Sequence, residues 1–413
     1  MRFIPTMLAT AVATSIFSVA VTAQEQDAVQ QQDKSLINIS AILNAGFTSR
    51  DNDFEGIGAL PVDGDHAGGP EDGFWLDHTE LALSGAVDDM FYGKLTVVLE
   101  EHDDSTEVEI EEAFVQTMGM PYGLSVRAGR FLSNVGYLNS KHAHTDSFVD
   151  RPIAYRGLLG RHYYDDGVRL NWVAPTDIYV ELGAEAFAGG QYPASSGDTV
   201  GSQVAYAKFG GDISDSTSWQ AGLAWLRTDN DPNECSSHDH DEEEDHDEHE
   251  HEVVEFCDFD GDKDFYVADL VFKWAPGGNY KYESLTWQTE WIQADEDGRI
   301  AHEEHDEDHD DHEEEGEWEA FDAKNTGWYT SLVYQWSPNW SAGVRYSEID
   351  VDAAYDEHEY KPKAYDAMIQ YNHSHFSSLR LQFTRDESID GEEDDVISLQ
   401  YTMAIGDHGA HTF

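Results

Sequence analysis

Segments of about ten residues in which apolar and polar side chains alternate recur along the chain from residue 36 onward. In residues 394–405, for example, Ile397, Leu399 and Tyr401 alternate with polar neighbours. A period of two indicates β-strands, and about ten residues is the length with which a tilted strand crosses a lipid bilayer. A soluble β-sandwich also alternates, but the apolar positions here carry many aromatic side chains near the segment ends, as a lipid-facing surface does. The alternation predicts an all-β protein, a transmembrane antiparallel β-barrel.

The links between the segments predict how the strands are arranged. Short turn-like links such as 87–90, 174–177 and 336–339 alternate with links that are mostly longer and polar. Outer-membrane barrels combine short periplasmic turns with long external loops, and an even number of strands places both termini in the periplasm. Sixteen strands also leave room for an aqueous lumen. The predicted strands are 36–48, 74–87, 91–101, 107–116, 124–131, 164–173, 178–188, 202–212, 218–228, 263–275, 284–294, 324–336, 340–350, 363–373, 376–386 and 394–405, within a barrel that spans residues 36–413.

The N-terminus has the pattern of a secretory signal peptide. Arg2 precedes a mostly apolar run over residues 7–21, and Val21-Thr22-Ala23 fits the small-residue rule for cleavage. We therefore expect residues 1–23 to be removed and residues 24–35 to form a short periplasmic segment in a Gram-negative cell. The terminal Phe413 is typical of substrates of the barrel-assembly machinery, although the last alternating strand ends near residue 405.

The chain is strongly acidic, with 84 Asp and Glu against 23 Lys and Arg and a formal net charge of -61. This charge excludes nucleic acid and anionic lipid as electrostatic partners and favours cations. Cys235 and Cys257 are the two cysteines, and in an oxidising compartment they predict a disulfide at the base of one polar loop; the alternative is two thiols without a role.

Two predicted loops, 229–262 and 295–323, combine histidines with dense Asp and Glu. Imidazole together with carboxylate suits Zn²⁺, and also Cu²⁺ or Ni²⁺. Because the ligands are interchangeable and unevenly spaced, we expect weak, rapidly exchanging sites. The alternative is that the loops are acidic and merely well solvated, and 258–262 also resembles a fragment of a calcium loop. The candidate zinc ligands in these loops are His238, His240, His246, His249, His251, His302, His305, His309 and His312.

A further long link, 132–163, lies where sixteen-stranded porins fold an external loop into the lumen. It contains His142 and His144 with carboxylates nearby, a candidate metal-transfer site at the narrowest point. The alternative is that its polar groups anchor the loop to the barrel wall. The alternation also predicts charged side chains that face inward: Glu80, Glu100, Glu109, Glu181, Glu185, Glu290, Arg127, Arg169, Arg345 and Arg380.

Four stretches, 74–81, 127–139, 165–170 and 406–411, resemble a porin-like family of proteobacterial outer-membrane proteins. The family is distantly similar to the phosphate-selective porins, and its members often carry His/Asp/Glu-rich loops. The resemblance implies a link to zinc uptake. Some members are labelled zinc-regulated TonB-dependent receptors, but the first strand begins so soon after the predicted cleavage site that we expect no plug domain here.

These observations predict a porin-type channel, not an enzyme, that concentrates and admits divalent cations, above all zinc, across the outer membrane. The alternative is a surface metal-binding or Ca-bridged adhesive barrel without significant conduction, which a lumen plugged by segment 132–163 would favour. An anion porin is disfavoured by the net charge, although local arginines could override it. An outer-membrane enzyme would need a catalytic cluster on one rim, and no recognisable motif indicates one. A homotrimer is among the expected assemblies.

Overall fold

The protein is described by a computed structural model over residues 37–52, 54, 56–58, 60, 69–70, 72–102, 105–197, 199–232, 259–302, 317–355 and 360–406. The predicted signal peptide, residues 24–35, Cys235, Cys257, residue 258 and the terminal residues 407–413 lie outside this part. So do all the predicted loop histidines except His302, whose backbone ends a strand.

Sixteen antiparallel strands form a closed barrel, which confirms the predicted fold. The strands are β1 (Asn38–Ser49), β2 (Gly73–Leu76 and Thr79–Ala86), β3 (Phe91–His102), β4 (Ser105–Thr117), β5 (Leu124–Leu132), β6 (Tyr164–Val173), β7 (Tyr179–Phe187), β8 (Ser202–Ser214), β9 (Thr217–Asn230), β10 (Phe259–Trp274), β11 (Ser284–His302), β12 (Glu317–Ser337), β13 (Trp340–Asp350), β14 (Lys363–Ser374), β15 (Ser377–Glu387) and β16 (Asp394–Gly406). Each strand pairs with its neighbours in sequence, and β1 pairs with β16 in a register that runs from Ser40 opposite Gly406 to Ser49 opposite Ile397.

β2 consists of two segments that pair with the same strand, β1. Asp77 and His78 interrupt it, and His78 adopts a left-handed φ of 45°. The interruption is local because the backbone N–H of Asp77 still donates to the carbonyl of Asn44 at 3.2 Å. The two segments are therefore one kinked strand, and the kink leaves His78 buried on the lumen side.

The strands on either side of the two acidic loops are longer than the sequence predicts. β11 continues to residue 302 and β12 begins at residue 317, so the predicted loop 295–323 shortens to 303–316, and 229–262 shortens to 231–258. Charged pairs across the strands hold these polar extensions together, as where Arg227 lies 3.3 Å from Asp264. Aromatic side chains add to them, since Phe259 and Phe321 lie 6.0 Å apart. Charged and aromatic residues alternate in these extensions. Such a sequence looks like a polar loop, although in the structure it forms paired strands.

The outer surface of the barrel is apolar, as predicted. In β16, Ile397, Leu399 and Tyr401 are exposed while Ser398 and Gln400 between them are buried. Aromatic rings gather at the end with the short turns, where Trp336 and Trp340 stack at 6.5 Å. This arrangement matches a lipid-facing belt with an aromatic girdle. Within the described residues, the helices fall short of the length and hydropathy that a membrane-crossing helix requires.

The link 133–163 folds into the barrel, and we call it the lumen segment. It carries a short helix, α1 (Ile153–Leu159), whose residues are all buried and which ends at Gly160 in the left-handed conformation that favours glycine (φ 57°). Tyr155, Leu158 and Leu159 pack among apolar side chains that project inward from β7–β12. Burial of each such leucine stabilises the packing by roughly 1.5–3 kcal/mol.

The sequence predicts an aqueous lumen, and this expectation changes where the lumen segment lies, because side chains fill the lumen there. Every one of the sixteen strands contributes an inward side chain that is at most 6% exposed. These side chains, in strand order, are Asn44, Glu80, Thr96, Glu112, Phe131, Arg169, Glu185, Tyr206, Leu226, Val267, Glu290, Tyr329, Arg345, Asp366, Gln382 and Gln400. A strand count sets the diameter of a barrel but not the content of its interior.

Candidate metal centre in the barrel lumen

A β-bulge in β4 turns two successive glutamates toward the lumen. Val97 of β3 pairs with Ile110, and the next residue, Thr96, pairs with Glu112, so Glu111 is the extra residue. Glu111 and Glu112 are 2% and 4% exposed. In a regular strand one of the two carboxylates would face lipid, which is costly, and the bulge avoids that cost.

β2 supplies two further ligand-type side chains on the same wall. His78 and Glu80 are both buried and face the lumen. His78 directly precedes the second segment of β2, and Glu80 lies within that segment. Nδ1 of His78 lies 3.1 Å from a carboxylate oxygen of Asp77. Asp77 in turn lies 3.4 Å from Arg161, a residue of the lumen segment.

The lumen segment brings His142 and His144 against this wall. His142 directly precedes a single 3-10 turn, Ala143–Thr145, which contains His144. The two imidazole rings stack with their centroids 5.7 Å apart. The backbone N–H groups of Thr145 and Asp146 close the turn by donating to the carbonyls of His142 and Ala143. His-x-His spacing on so tight a turn points both imidazoles at β2–β4.

The imidazoles and carboxylates meet at close range. Nδ1 of His142 lies 2.7 Å from Oε2 of Glu111 and 3.7 Å from Oε2 of Glu80, while its Nε2 lies 2.9 Å from Glu112. Nδ1 of His144 lies 2.5 Å from Oε1 of Glu80. The two predicted histidines thus lie together with three glutamates.

His162, at the end of the lumen segment, completes the group. Its Nε2 lies 3.4 Å from Oε1 of Glu111, and its ring contacts His78 edge-on at 5.2 Å and stacks on Tyr164 at 5.1 Å. Two sets of three residues have ligand atoms within 4.8 Å of one another: His78 with Glu111 and His162, and Glu80 with Glu111 and His142. Imidazole and carboxylate in such groups suit zinc.

Electrostatics explains how so many carboxylates are buried together. Burial lowers the pKa of His142, but the carboxylates of Glu111, Glu80 and Glu112 outweigh burial and hold that pKa well above its ordinary value. Lys94 adds a second positive charge, because its Nζ contacts Glu112 and lies 2.9 Å from Nε2 of His142. The cluster is therefore a set of ion pairs in which three carboxylates face two positive groups, and a divalent cation could replace those positive groups.

Other polar groups of the lumen segment anchor it to the wall, as the alternative interpretation predicted. Arg345 donates to the carbonyl and carboxylate of Asp150, and Arg380 donates to the carbonyls of Asp146 and Phe148. Arg151 pairs with Asp146 at 2.7 Å. The arginines and aspartates thus fix the segment, whereas the metal-transfer role of the histidines stays a prediction.

Three residues of the cluster, His78, Glu111 and Glu112, are not among the ligands that the sequence predicts. The kink at His78 and the bulge that turns Glu112 as well as Glu111 inward both break the alternation on which the facing assignments depend. The two successive glutamates were the available signal, because an unbulged strand would place one of them in lipid.

No protein-family model matches the chain. A protein of Aquifex aeolicus (strain VF5), described as an uncharacterized protein, is 27% identical over 401 residues, which cover 92% of this chain and 80% of that protein.

Solved porins share the architecture. The outer membrane channel DcaP of Acinetobacter baumannii superposes with a TM-score of 0.54 at 14% identity, over 89% of this chain and 97% of its own. An anion-selective porin from Comamonas acidovorans gives a TM-score of 0.53 at 12% identity, over 89% and 99%. A loop-deletion mutant of OmpT, an outer membrane protein of Vibrio cholerae, gives 0.53 at 9% identity, also over 89% and 99%. The chain has the sixteen-stranded fold of outer-membrane porins, and with its apolar outer belt it is a barrel of the outer membrane.

Proposed function

We propose that this protein is a porin-type channel that admits divalent metal cations, above all zinc, through the outer membrane. The observation that carries the proposal is the buried cluster of imidazoles and carboxylates between the lumen segment and the β2–β4 wall. A wide pore for solutes in general does not need buried histidines in its lumen. Transition-metal ligands at a constriction support selective passage of such ions.

The acidic, histidine-rich loops supply the second part of the proposal. Stretches 237–252 and 302–315 are rich in side chains that bind zinc weakly and exchange it quickly. Fixed negative charge raises the local concentration of divalent cations and their rate of entry, most strongly at low ionic strength. The loops would gather zinc, and the lumenal cluster would receive it. By analogy with OmpT of Vibrio cholerae, which has been solved in a trimer form, the assembly would be a homotrimer.

The filled lumen favours a second candidate, a barrel that binds metal at the surface, or adheres through Ca²⁺ bridges, without significant conduction. The two candidates differ in what happens at the lumen segment. A channel requires that the segment shifts, or that an ion crosses its level by exchanging water for protein ligands. A surface-binding barrel requires neither.

Single-channel recording in planar bilayers separates these candidates. The wild type is compared with a variant that lacks 237–252 and 302–315, with and without micromolar Zn²⁺. The channel proposal predicts cation-selective conductance whose zinc permeation or block depends on the loops. A silent barrel that still binds zinc through the loops would contradict it and leave the surface-binding candidate.

A further inference from the structure

The two carboxylate oxygens of Glu111 contact different histidines. Oε2 lies 2.7 Å from His142, and Oε1 lies 3.4 Å from His162. Glu111 is 2% exposed, and its Oε1 has no hydrogen-bond partner among the described residues. A buried carboxylate oxygen without a hydrogen bond carries a free-energy cost, which a cation bound there would remove.

Glu111 belongs to two sets of potential ligands: one with His78 and His162, which we call the outer set, and one with Glu80 and His142, which we call the inner set. Its Oε1 contacts His162 of the outer set, and its Oε2 contacts His142 of the inner set. Zinc bonds of 2.0–2.1 Å at tetrahedral angles place neighbouring ligand atoms about 3.3 Å apart. The contacts of 2.7, 3.4 and 3.7 Å among these residues are close to that spacing.

Carboxylates outside the two sets orient their histidines. Asp77 lies against Nδ1 of His78, whereas Glu112 lies against Nε2 of His142, whose Nδ1 faces Glu111 and Glu80. His144 contacts Oε1 of Glu80 and leaves Oε2 toward His142. A histidine whose second nitrogen donates to a carboxylate is the usual arrangement behind a metal ligand, because it fixes the tautomer and the ring.

The strand register orders the two sets along the barrel axis. β2 runs from the loop end to the turn after residue 86, so His78 lies about two residues, or roughly 7 Å, nearer the loop end than Glu80. His162 lies close to the loop end, where β6 begins. The outer set therefore lies on the external side and the inner set on the periplasmic side.

We propose that Glu111 bridges two adjacent divalent-cation positions, one in the outer set and one in the inner set, along a single path through the lumen. This inference deepens the proposed function and rests on it, because only a conducting lumen needs consecutive positions. Two cations that share a carboxylate lie on the order of 3.5–4 Å apart and repel each other. An ion that arrives at the outer position therefore weakens the binding of the inner ion, which favours its release toward the periplasm.

Anomalous diffraction from crystals of the full chain soaked in Zn²⁺ tests the pair by position, so zinc in the surface loops does not interfere. We expect two anomalous peaks on either side of Glu111. His162→Ala should remove the outer peak and retain the inner one, and His142→Ala should do the reverse. Glu111→Gln should weaken both, and Glu109→Gln, a neighbour on the same strand outside both sets, should leave both unchanged.

A single peak, or two peaks that Glu111→Gln does not change, would overturn the pair. The electron density of the barrel in each variant would show whether the fold is intact. Two peaks in a protein that passes no zinc in bilayers would contradict the channel but support the paired positions. Zinc conduction without lumenal peaks would contradict the pair but support the channel.

Discussion

At the scale of single residues, one buried carboxylate holds much of the lumen segment in place. Glu290 of β11 accepts hydrogen bonds from the backbone N–H groups of Tyr137 and Leu138 at 2.7 and 3.0 Å and from the hydroxyls of Tyr155 and Tyr329 at 2.7 and 2.6 Å. The side chain is 1% exposed, so water does not replace these contacts if the acceptor is lost.

Glu290→Ala should therefore loosen the segment, at a cost of about 1–3 kcal/mol for each buried donor left without an acceptor. Limited proteolysis of the segment and thermal unfolding in detergent would measure the effect. The matched control is Glu283→Ala, which removes an exposed acceptor from Tyr334 and should change stability by less than about 0.5 kcal/mol. Equal effects of the two substitutions would show that Glu290 does not anchor the segment.

Lys94 places a positive charge beside the inner set, where it contacts Glu112 and His142. An ammonium group close to a bound divalent cation repels it, so Lys94→Met should strengthen zinc binding in the lumen by roughly tenfold or more. Zinc competition against a chelator measures the change. Lys363→Met is the control, because Lys363 pairs with Glu387 on the distant β14–β15 wall. Weaker zinc binding in Lys94→Met would mean that the lysine supports the site.

At the scale of elements, two arginines of the barrel wall hold the lumen segment inside the barrel. Arg345 and Arg380 hold residues 146–150 against β13 and β15, and both guanidinium groups are buried. Their hydrogen bonds to backbone carbonyls are specific to the inward position of the segment. Any opening of the lumen on this side must break them.

Combined Arg345→Ala and Arg380→Ala substitution should free residues 146–150 and increase single-channel conductance severalfold. Arg385→Ala is a matched control on β15, because Arg385 pairs with Asp395 and Glu393 at the exposed rim. The conductance of this control should equal that of the wild type. Unchanged conductance in the double variant would show that the path does not run beside residues 146–150.

The elements also show what the sequence could and could not predict. Alternation and link length predicted sixteen strands, their order and the apolar outer face, because these depend on the period of two and on turn chemistry. Phe187, Phe265 and Ile292 face inward although that side was expected to be polar, since they pack on the lumen segment. Such long-range packing leaves little trace in local sequence.

The candidate site was predicted only in part for the same physical reason. His142 and His144 were identifiable because the His-x-His spacing is local. His78, Glu111 and His162 are more than thirty residues apart from one another in sequence. A kink in β2 and a bulge in β4 bring them together with the end of the lumen segment. The alternation of side chains along a strand does not predict where a kink in one strand will lie opposite a bulge in another.

At the scale of the whole molecule, charge and architecture agree with a cation path. The formal net charge is -61, and described strand ends beside the acidic loops carry carboxylates such as Asp260, Asp262 and Glu296. The outer end of the barrel is thus strongly negative, and the lumen segment beneath it contributes histidines. Cations would meet attractive charge first and transition-metal ligands second, an order suited to selective entry.

Zinc influx into liposomes loaded with a zinc-sensitive dye tests the central claim most directly. Vesicles with the wild type should take up zinc faster than protein-free vesicles, and His142→Ala together with His162→Ala should reduce zinc influx while potassium flux changes little. Influx no faster than in protein-free vesicles would contradict the channel. Influx unaffected by the two substitutions would contradict passage through the lumenal cluster.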